Sequence, residues 1–189
     1  MRKLAALALV IAACGGAAVA PTASPSATPV ATVAGTPAPV PTQTPDIYSF
    51  VADLKSSNEV PPIADAEASC SGQAKIVLAV ITDPAYYNVV KGDASFDVTL
   101  TGCPATTSII LAHIHAGTAA QNGPVKVDTG LVATQPIAFG TGAKISKMNV
   151  SLDPGLADDL IKNPGNYYFN VHSVAHGGGV VRGQLVATR

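Results

Sequence analysis

Two histidines separated by a single residue are the clearest chemical signal in this sequence. His113 and His115 lie in the apolar run 109–115. Alternate side chains of a β-strand share one face, so both imidazoles should project to the same side as Ile109 and Leu111, about 7 Å apart along the backbone. Imidazole nitrogens bind Cu and Zn, and His172 occurs in a second strand-like run. One interpretation is therefore a metal site made of His113, His115 and His172.

The other interpretation is structural. The three histidines would then form hydrogen bonds within a polar cluster that holds strand ends and loops in place. Strand alternation turns Asn170 and His172 to one face, and Arg182 and Gln184 share a face on the next strand. If these strands are neighbours, Asn170, Arg182 and Gln184 complete the cluster. In the metal interpretation, His176 of the following turn is a candidate for a fourth nitrogen.

The catalytic motifs of common enzyme classes are absent from the sequence. There is no Gly-x-Ser-x-Gly elbow, P-loop or His-Glu-x-x-His motif. The His-x-His strand is similar to the copper-ligand strand of Cu/Zn superoxide dismutases, which suggests superoxide-dismutase-like redox activity as an alternative. Those enzymes also need a further histidine cluster, and no histidine lies between residues 115 and 172. The leading expectation is a protein without catalytic residues or cofactor.

Alternating apolar and polar residues dominate the chain from residue 46 onward. Only Pro154–Lys162 is helix-like, since Asp153 can cap it and Pro154 suits the first helical position. About eight short strands and one short helix predict an all-β fold, an antiparallel β-sandwich or barrel. The candidate strands are Ile47–Leu54, Gly72–Ile81, Ala94–Thr101, Ser108–His115, Val125–Asp128, Ala143–Leu152, Asn166–Ser173 and Val180–Val186.

The N-terminus has the features of an export signal. Arg2 and Lys3 precede an apolar run of about ten residues, too short for a stable membrane span. The run ends at Cys14, and the tetrad 11–14 resembles the lipobox of bacterial lipoproteins. We therefore expect a signal peptide at 1–13 and lipidation of Cys14. The alternative is an ordinary secretory signal cleaved after Ala20.

Residues 14–45 are predicted to form a tether. The stretch 15–45 contains no charged and no aromatic residue, and prolines recur along it. Such a composition cannot bury enough surface to offset its ordering entropy, and it favours extended chain. The folded domain is therefore expected to occupy residues 46–189.

Cys70 and Cys103 are the two cysteines of that domain. An exported chain with an even number of cysteines favours a disulfide, and two free thiols are the alternative. Cys70 directly precedes one candidate strand and Cys103 directly follows the next. If the two strands pair antiparallel, the cysteines lie side by side, and a bridge is geometrically natural.

Five motifs in order resemble the CHRD (chordin) domain family. The family implies an extracellular β-rich domain, which in animals occurs in an antagonist of secreted growth factors. One position departs from the family pattern, because Val180 stands where a glutamate is common. The motifs are Leu54–Pro62, Ala112–Gly117, Asn122–Val125, Tyr168–Ser173 and Arg182–Leu185.

Charge narrows the choice of partners. The formal net charge is −1, and no basic patch or polybasic stretch is present. We therefore expect no nucleic acid ligand, and we expect membrane contact through the lipid anchor only. We expect a surface-tethered, extracytoplasmic binding or structural module, lipid-anchored to the cell membrane or cell surface. Its expected partner is an envelope protein or polysaccharide, and a Cu or Zn site is the alternative.

Overall fold

The region from residue 46 onward forms one antiparallel β-sheet that nearly closes into a barrel, with a single α-helix. The computed structural model describes residues 43–140 and 142–188. The predicted signal peptide, the predicted lipidation site Cys14 and nearly all of the predicted tether lie outside this part. The described helices include none that is long and apolar enough to span a membrane.

Ten strands and one helix make up the described domain. The helix α1 covers Pro154–Lys162, and the Asp153 carboxylate accepts hydrogen bonds from the Gly155 and Leu156 amides at its start. The strands are β1 (Asp46–Lys55), β2 (Ser71–Thr82), β3 (Val89–Thr101), β4 (Ser108–Ala116), β5 (Val125–Asp128), β6 (Ile137–Ala138), β7 (Ala143–Leu152), β8 (Tyr167–Ser173), β9 (Val181–Gln184) and β10 (Val186–Thr188).

The sheet order is β5-β4-β8-β9-β1-β2-β3-β7, and β6 and β10 pair with β4 and β1. The two ends of this order approach each other, since Lys147 on β7 donates to the Gly130 carbonyl just after β5 (3.2 Å). Phe96 and Phe169 meet inside the barrel, with ring centroids 5.8 Å apart. Alternate side chains of β1, β2 and β3 fill this interior, which is the pattern expected of strands with one buried face.

The predicted all-β class, the antiparallel arrangement and the short helix are confirmed. Differences arise at irregular places. The last predicted strand, Val180–Val186, is interrupted at Leu185, whose amide bonds to the Tyr167 carbonyl of β8. Residue Val180 itself is fully buried in the core. Strand β6 has only two residues, too few for alternation to reveal it.

One side-chain prediction is wrong. Strict alternation puts Ile109 on the same face as His113 and His115, but the register between β4 and β8 shifts between Ile109 and Leu111. Such a bulge inserts an extra residue, so the side chains before it point to the opposite face of the sheet from the one that strict alternation predicts. Ile109 therefore packs in the core, and Leu111 shares the face of the histidines.

Cys70 and Cys103 form the predicted disulfide. Strands β2 and β3 pair antiparallel, with Ser71 opposite Thr101, so the cysteines that flank this pair are adjacent. Their Cα atoms are 4.2 Å apart, and both side chains are buried. The bridge closes a loop with a sequence separation of 33 residues.

Candidate functional site

Strand β8 is buried on both of its faces, although one of them is polar. Tyr167, Phe169 and Val171 belong to the core, whereas the intervening residues point to the outside of the barrel. Loops cover this outer face, so that every residue of the strand is shielded from solvent. The residues on it are Tyr168, Asn170 and His172.

The neighbouring strands extend this polar face. On one side, β4 sets His113 opposite Asn170 and His115 opposite Tyr168. On the other side, β9 sets Arg182 opposite Asn170 and Gln184 opposite Tyr168. Strands β4, β8 and β9, whose adjacency the sequence left open, are thus neighbours. The structure brings the histidines, Asn170, Arg182 and Gln184 onto one surface.

Arg182 connects this surface to the two segments that cover it. Its exposed fraction is 2%, and its Nε donates to the Asn58 carbonyl that follows β1. Its terminal nitrogens donate to the Ala119 and Gln121 carbonyls and to Asn122 Oδ1, in the connection between β4 and β5. The guanidinium also lies 4.7 Å from the Tyr168 ring centroid. Within residues 43–140 and 142–188, no carboxylate lies within ion-pair distance of it.

Gln184 also holds backbone outside the strands by hydrogen bonds from its side chain. Its side-chain amide donates to the Gly117 carbonyl (2.7 Å) and to the Gly165 carbonyl (2.8 Å). Asn122, in turn, donates to the Val60 carbonyl (2.8 Å). The side chains of Asn122, Gln184 and Arg182 therefore hold backbone carbonyls that lie outside the hydrogen-bonding pattern of the sheet.

The three histidines form one compact group beneath these loops. His113 Nδ1 lies 3.1 Å from His172 Nε2, and one nitrogen from each of the three rings lies within 4.8 Å of the others. The exposed fractions of His113, His115 and His172 are 7%, 8% and 5%. The His115 ring stacks on Tyr168 with centroids 5.0 Å apart.

Two of the rings donate to backbone carbonyls with their other nitrogen. His115 Nδ1 donates to the Gly123 carbonyl (2.9 Å), and His172 Nδ1 donates to the Gly177 carbonyl (3.0 Å). His113 Nε2 lies 3.7 Å from the carboxylate of Asp128, beyond hydrogen-bond distance. His115 Nε2 is buried without a hydrogen-bond partner.

Burial favours the neutral form of all three rings. Desolvation lowers the pKa of His113 and the pKa of His115, although Asp128 opposes the shift at His113. Desolvation also lowers the pKa of His172 to about 4, and the two other histidines add to this effect. At neutral pH the group is therefore a set of uncharged imidazoles.

Glu59 is a buried carboxyl group at the edge of the polar face. Desolvation raises its pKa to about 7, and the nearby charge of Arg182 counteracts the shift only in part. Its Oε1 has no hydrogen-bond partner. A Cβ on Gly179 would lie 2.8 Å from Glu59 Oε1 and 2.5 Å from Asn170 Nδ2, so only glycine leaves room for these two side chains.

We predict that Glu59 makes stability fall as pH rises from about 4.5 to 7. The folded-state pKa lies above the ordinary glutamate value of 4.5, so the native state binds more protons than the unfolded state in this window. The expected loss is roughly 1–3 kcal/mol. Glu59→Gln removes this slope and stabilises the domain at pH 8, as measured by urea unfolding at several pH values.

Asp97→Asn, on the exposed side of β3, is the control for loss of one carboxylate. Below pH 4.5, wild type and Glu59→Gln should agree to within about 0.5 kcal/mol. Parallel stability curves for these two proteins across the whole window would show that the Glu59 carboxyl is not perturbed.

His176 does not join the histidine group. Its Nε2 lies 2.9 Å from Asp65 Oδ2 and 3.8 Å from Glu67 Oε2, on the far side of the covering loop. The Nε2 atom of His176 is thus engaged in a hydrogen bond with Asp65. Glu67 is buried as well and accepts a hydrogen bond from the Ser173 hydroxyl (2.6 Å).

Sequence reasoning missed Glu67 and Ser173, and it left open whether Glu59 meets Arg182. Glu67 lies in a short polar segment, Ala66–Ser69, that forms a 3₁₀ turn with no periodic signal. Nothing in its spacing indicates that it returns to β8. Glu59 is near Arg182 but forms no ion pair with it in the described part of the chain.

The described domain combines a nearly closed antiparallel sheet, a disulfide and a polar face covered by loops. The sequence profile of the CHRD domain matches residues 50–185, and the chain belongs to this family, which suggests an extracellular-type module for binding or structure. This match confirms the resemblance carried by the five motifs. No curated protein and no solved structure is significantly similar to the chain. The family and the disulfide are compatible with an extracellular location.

Proposed function

We propose that this protein is a surface-tethered, extracytoplasmic binding module without enzymatic activity, and that its partner is an envelope protein or polysaccharide. The observation that carries the proposal is a pair of open grooves on either side of the segment Glu59–Pro62. Their volumes are about 550 and 390 Å³. Both grooves lie directly above the polar face of β8 and β9.

The covering loops make this surface suitable for binding because they are already ordered. Asn122 holds the Val60 carbonyl, and Arg182 holds the Asn58 carbonyl. A surface fixed in this way loses little further conformational entropy when a partner binds. Loops positioned by a rigid β scaffold are also the usual location of binding sites.

The lining of the larger groove favours a partner with both apolar and polar groups. Val60, Pro61 and Pro62 form an apolar ridge, and Asp65 and Asn122 add hydrogen-bonding groups beside it. A sugar polymer and a protein segment both offer such a mixture. The expected contact is therefore one of moderate area in which the ridge is covered.

Capture of envelope components by the purified protein tests this function. Val60→Arg places a charged side chain on the ridge, and Val77→Arg does the same at a similarly exposed valine on β2, with exposed fractions of 37% and 42%. We expect wild type and Val77→Arg to bind the same isolated polysaccharide or protein, and Val60→Arg to lose at least tenfold in affinity. Equal binding by both variants, or turnover of a substrate without any partner, would refute the proposal.

In this proposal, attachment of the protein to the membrane depends on lipidation of Cys14. We predict that wild-type protein enters a detergent phase and incorporates labelled fatty acid, and that Cys14→Ser remains in the aqueous phase. Stable anchoring needs more than one acyl chain, because a single chain binds membranes only marginally. Phase partitioning and mass spectrometry of the N-terminal peptide measure this. Identical partitioning of the two proteins would indicate an ordinary secretory signal instead.

A further inference from the structure

The hydrogen bonds of the three histidines indicate which ring nitrogen carries the hydrogen and which carries a free lone pair. A carbonyl oxygen accepts hydrogen bonds and cannot donate one, so the Nδ1 atoms of His115 and His172 must carry the hydrogen. Their Nε2 atoms therefore present bare lone pairs to the interior of the group. At His113, the Asp128 carboxylate lies 3.7 Å from Nε2, which is too long for a hydrogen bond, but its negative charge favours a hydrogen on that nitrogen.

This assignment leaves one bare lone pair on each ring, and nitrogens of the three rings lie within 4.8 Å of one another. His113 Nδ1 and His172 Nε2 face each other at 3.1 Å, and His115 Nε2 is buried with no donor in reach. Two lone pairs at this distance repel unless a positive charge lies between them. Moving the hydrogen of His113 to Nδ1 would relieve this contact, but a bare Nε2 would then face the Asp128 carboxylate.

The spacing suits a transition-metal ion. Zn–N bonds of about 2.0–2.1 Å in tetrahedral geometry put ligand nitrogens roughly 3.3 Å apart. One pair is already 3.1 Å apart, and all three nitrogens lie within 4.8 Å, so small ring movements close the site. Metal-bound histidines commonly donate their other N–H to a carbonyl or carboxylate, as His115 and His172 do here.

We propose that His113 Nδ1, His115 Nε2 and His172 Nε2 bind one Zn²⁺ or Cu²⁺ ion per chain. Three imidazole nitrogens are a donor set that both ions accept. The inference is independent of the binding function proposed above, because the site lies beneath the loops and does not use the groove surface. It assigns no reaction to the metal.

Titration of the full chain with Zn²⁺ tests the proposal. We expect one equivalent to bind with a dissociation constant in the micromolar range or below, measured by calorimetry on protein first dialysed against a chelator. His115→Gln and His172→Gln should each weaken binding by at least tenfold. His176→Gln is the matched control, because His176 lies outside the group, and it should leave the affinity unchanged.

A measurement on wild-type protein removes any dependence on how the variants fold. In ¹⁵N spectra of the imidazoles, Zn²⁺ should shift the inner nitrogens of all three histidines and leave both nitrogens of His176 in place. The same titration with Cu²⁺ should quench these signals and give the same stoichiometry. Binding of less than about 0.1 equivalent, a shift confined to His176, or unchanged affinity in both variants would overturn the proposal.

Discussion

Replacing Arg182 with alanine is expected to destabilise the domain by about 3–5 kcal/mol, measured by urea unfolding. The guanidinium is buried and donates to the carbonyls of Asn58, Ala119 and Gln121 and to Asn122 Oδ1. Without it, these partly buried acceptors lose their donors. Unsatisfied buried acceptors cost more than the net value of the hydrogen bonds that are lost.

Two further variants separate the hydrogen-bond geometry from the charge. Arg182→Lys keeps the charge but offers a single ammonium group, which cannot reach acceptors on two different segments, so most of the loss should remain. Lys75→Ala removes an exposed basic side chain on β2 and should change stability by less than about 0.5 kcal/mol. If Arg182→Ala behaved like Lys75→Ala, the guanidinium could not be holding the loops.

The second large effect is expected from the disulfide. Replacing both Cys70 and Cys103 with alanine should lower stability by roughly 3–4 kcal/mol, since the bridge closes a loop of 33 residues and restricts the unfolded chain. Reduction of the wild-type protein should give a loss of similar size. Non-reducing mass spectrometry should recover a peptide that links the two cysteines.

The double variant also provides a control for chemistry at the thiols. A reducing agent should affect wild-type stability and leave the double variant unchanged. Recovery of an exported, folded protein with both thiols free would contradict the bridge, and it would also place in doubt the pairing of the β2 and β3 ends.

The regular strands of this fold can be predicted from the sequence because apolar and polar residues alternate along them. Helix α1 has its predicted bounds, and its capping residue Asp153 accepts the expected hydrogen bonds. Strands β5 and β7 also have their predicted bounds. Alternation fails where the backbone is irregular, as at the bulge that reverses Ile109.

The candidate site was less accessible to sequence reasoning. Alternation identifies which side chains share a face on one strand, and so it grouped Asn170 with His172. It does not reveal which strands are neighbours, or that loops cover the polar face. The burial of Glu59 and the hydrogen bond of His176 to Asp65 depend on the path of residues 56–70, a segment without a periodic sequence pattern.

Strand β1 determines the direction in which the domain would bear a pulling force. It begins at Asp46, where the proposed tether ends, and Lys55 at its other end leads within four residues to Glu59. A pull between the tether and the groove segment therefore acts along β1. Its hydrogen bonds to β2 run perpendicular to the strand and span all ten residues, and they would be loaded together in shear rather than opened one after another.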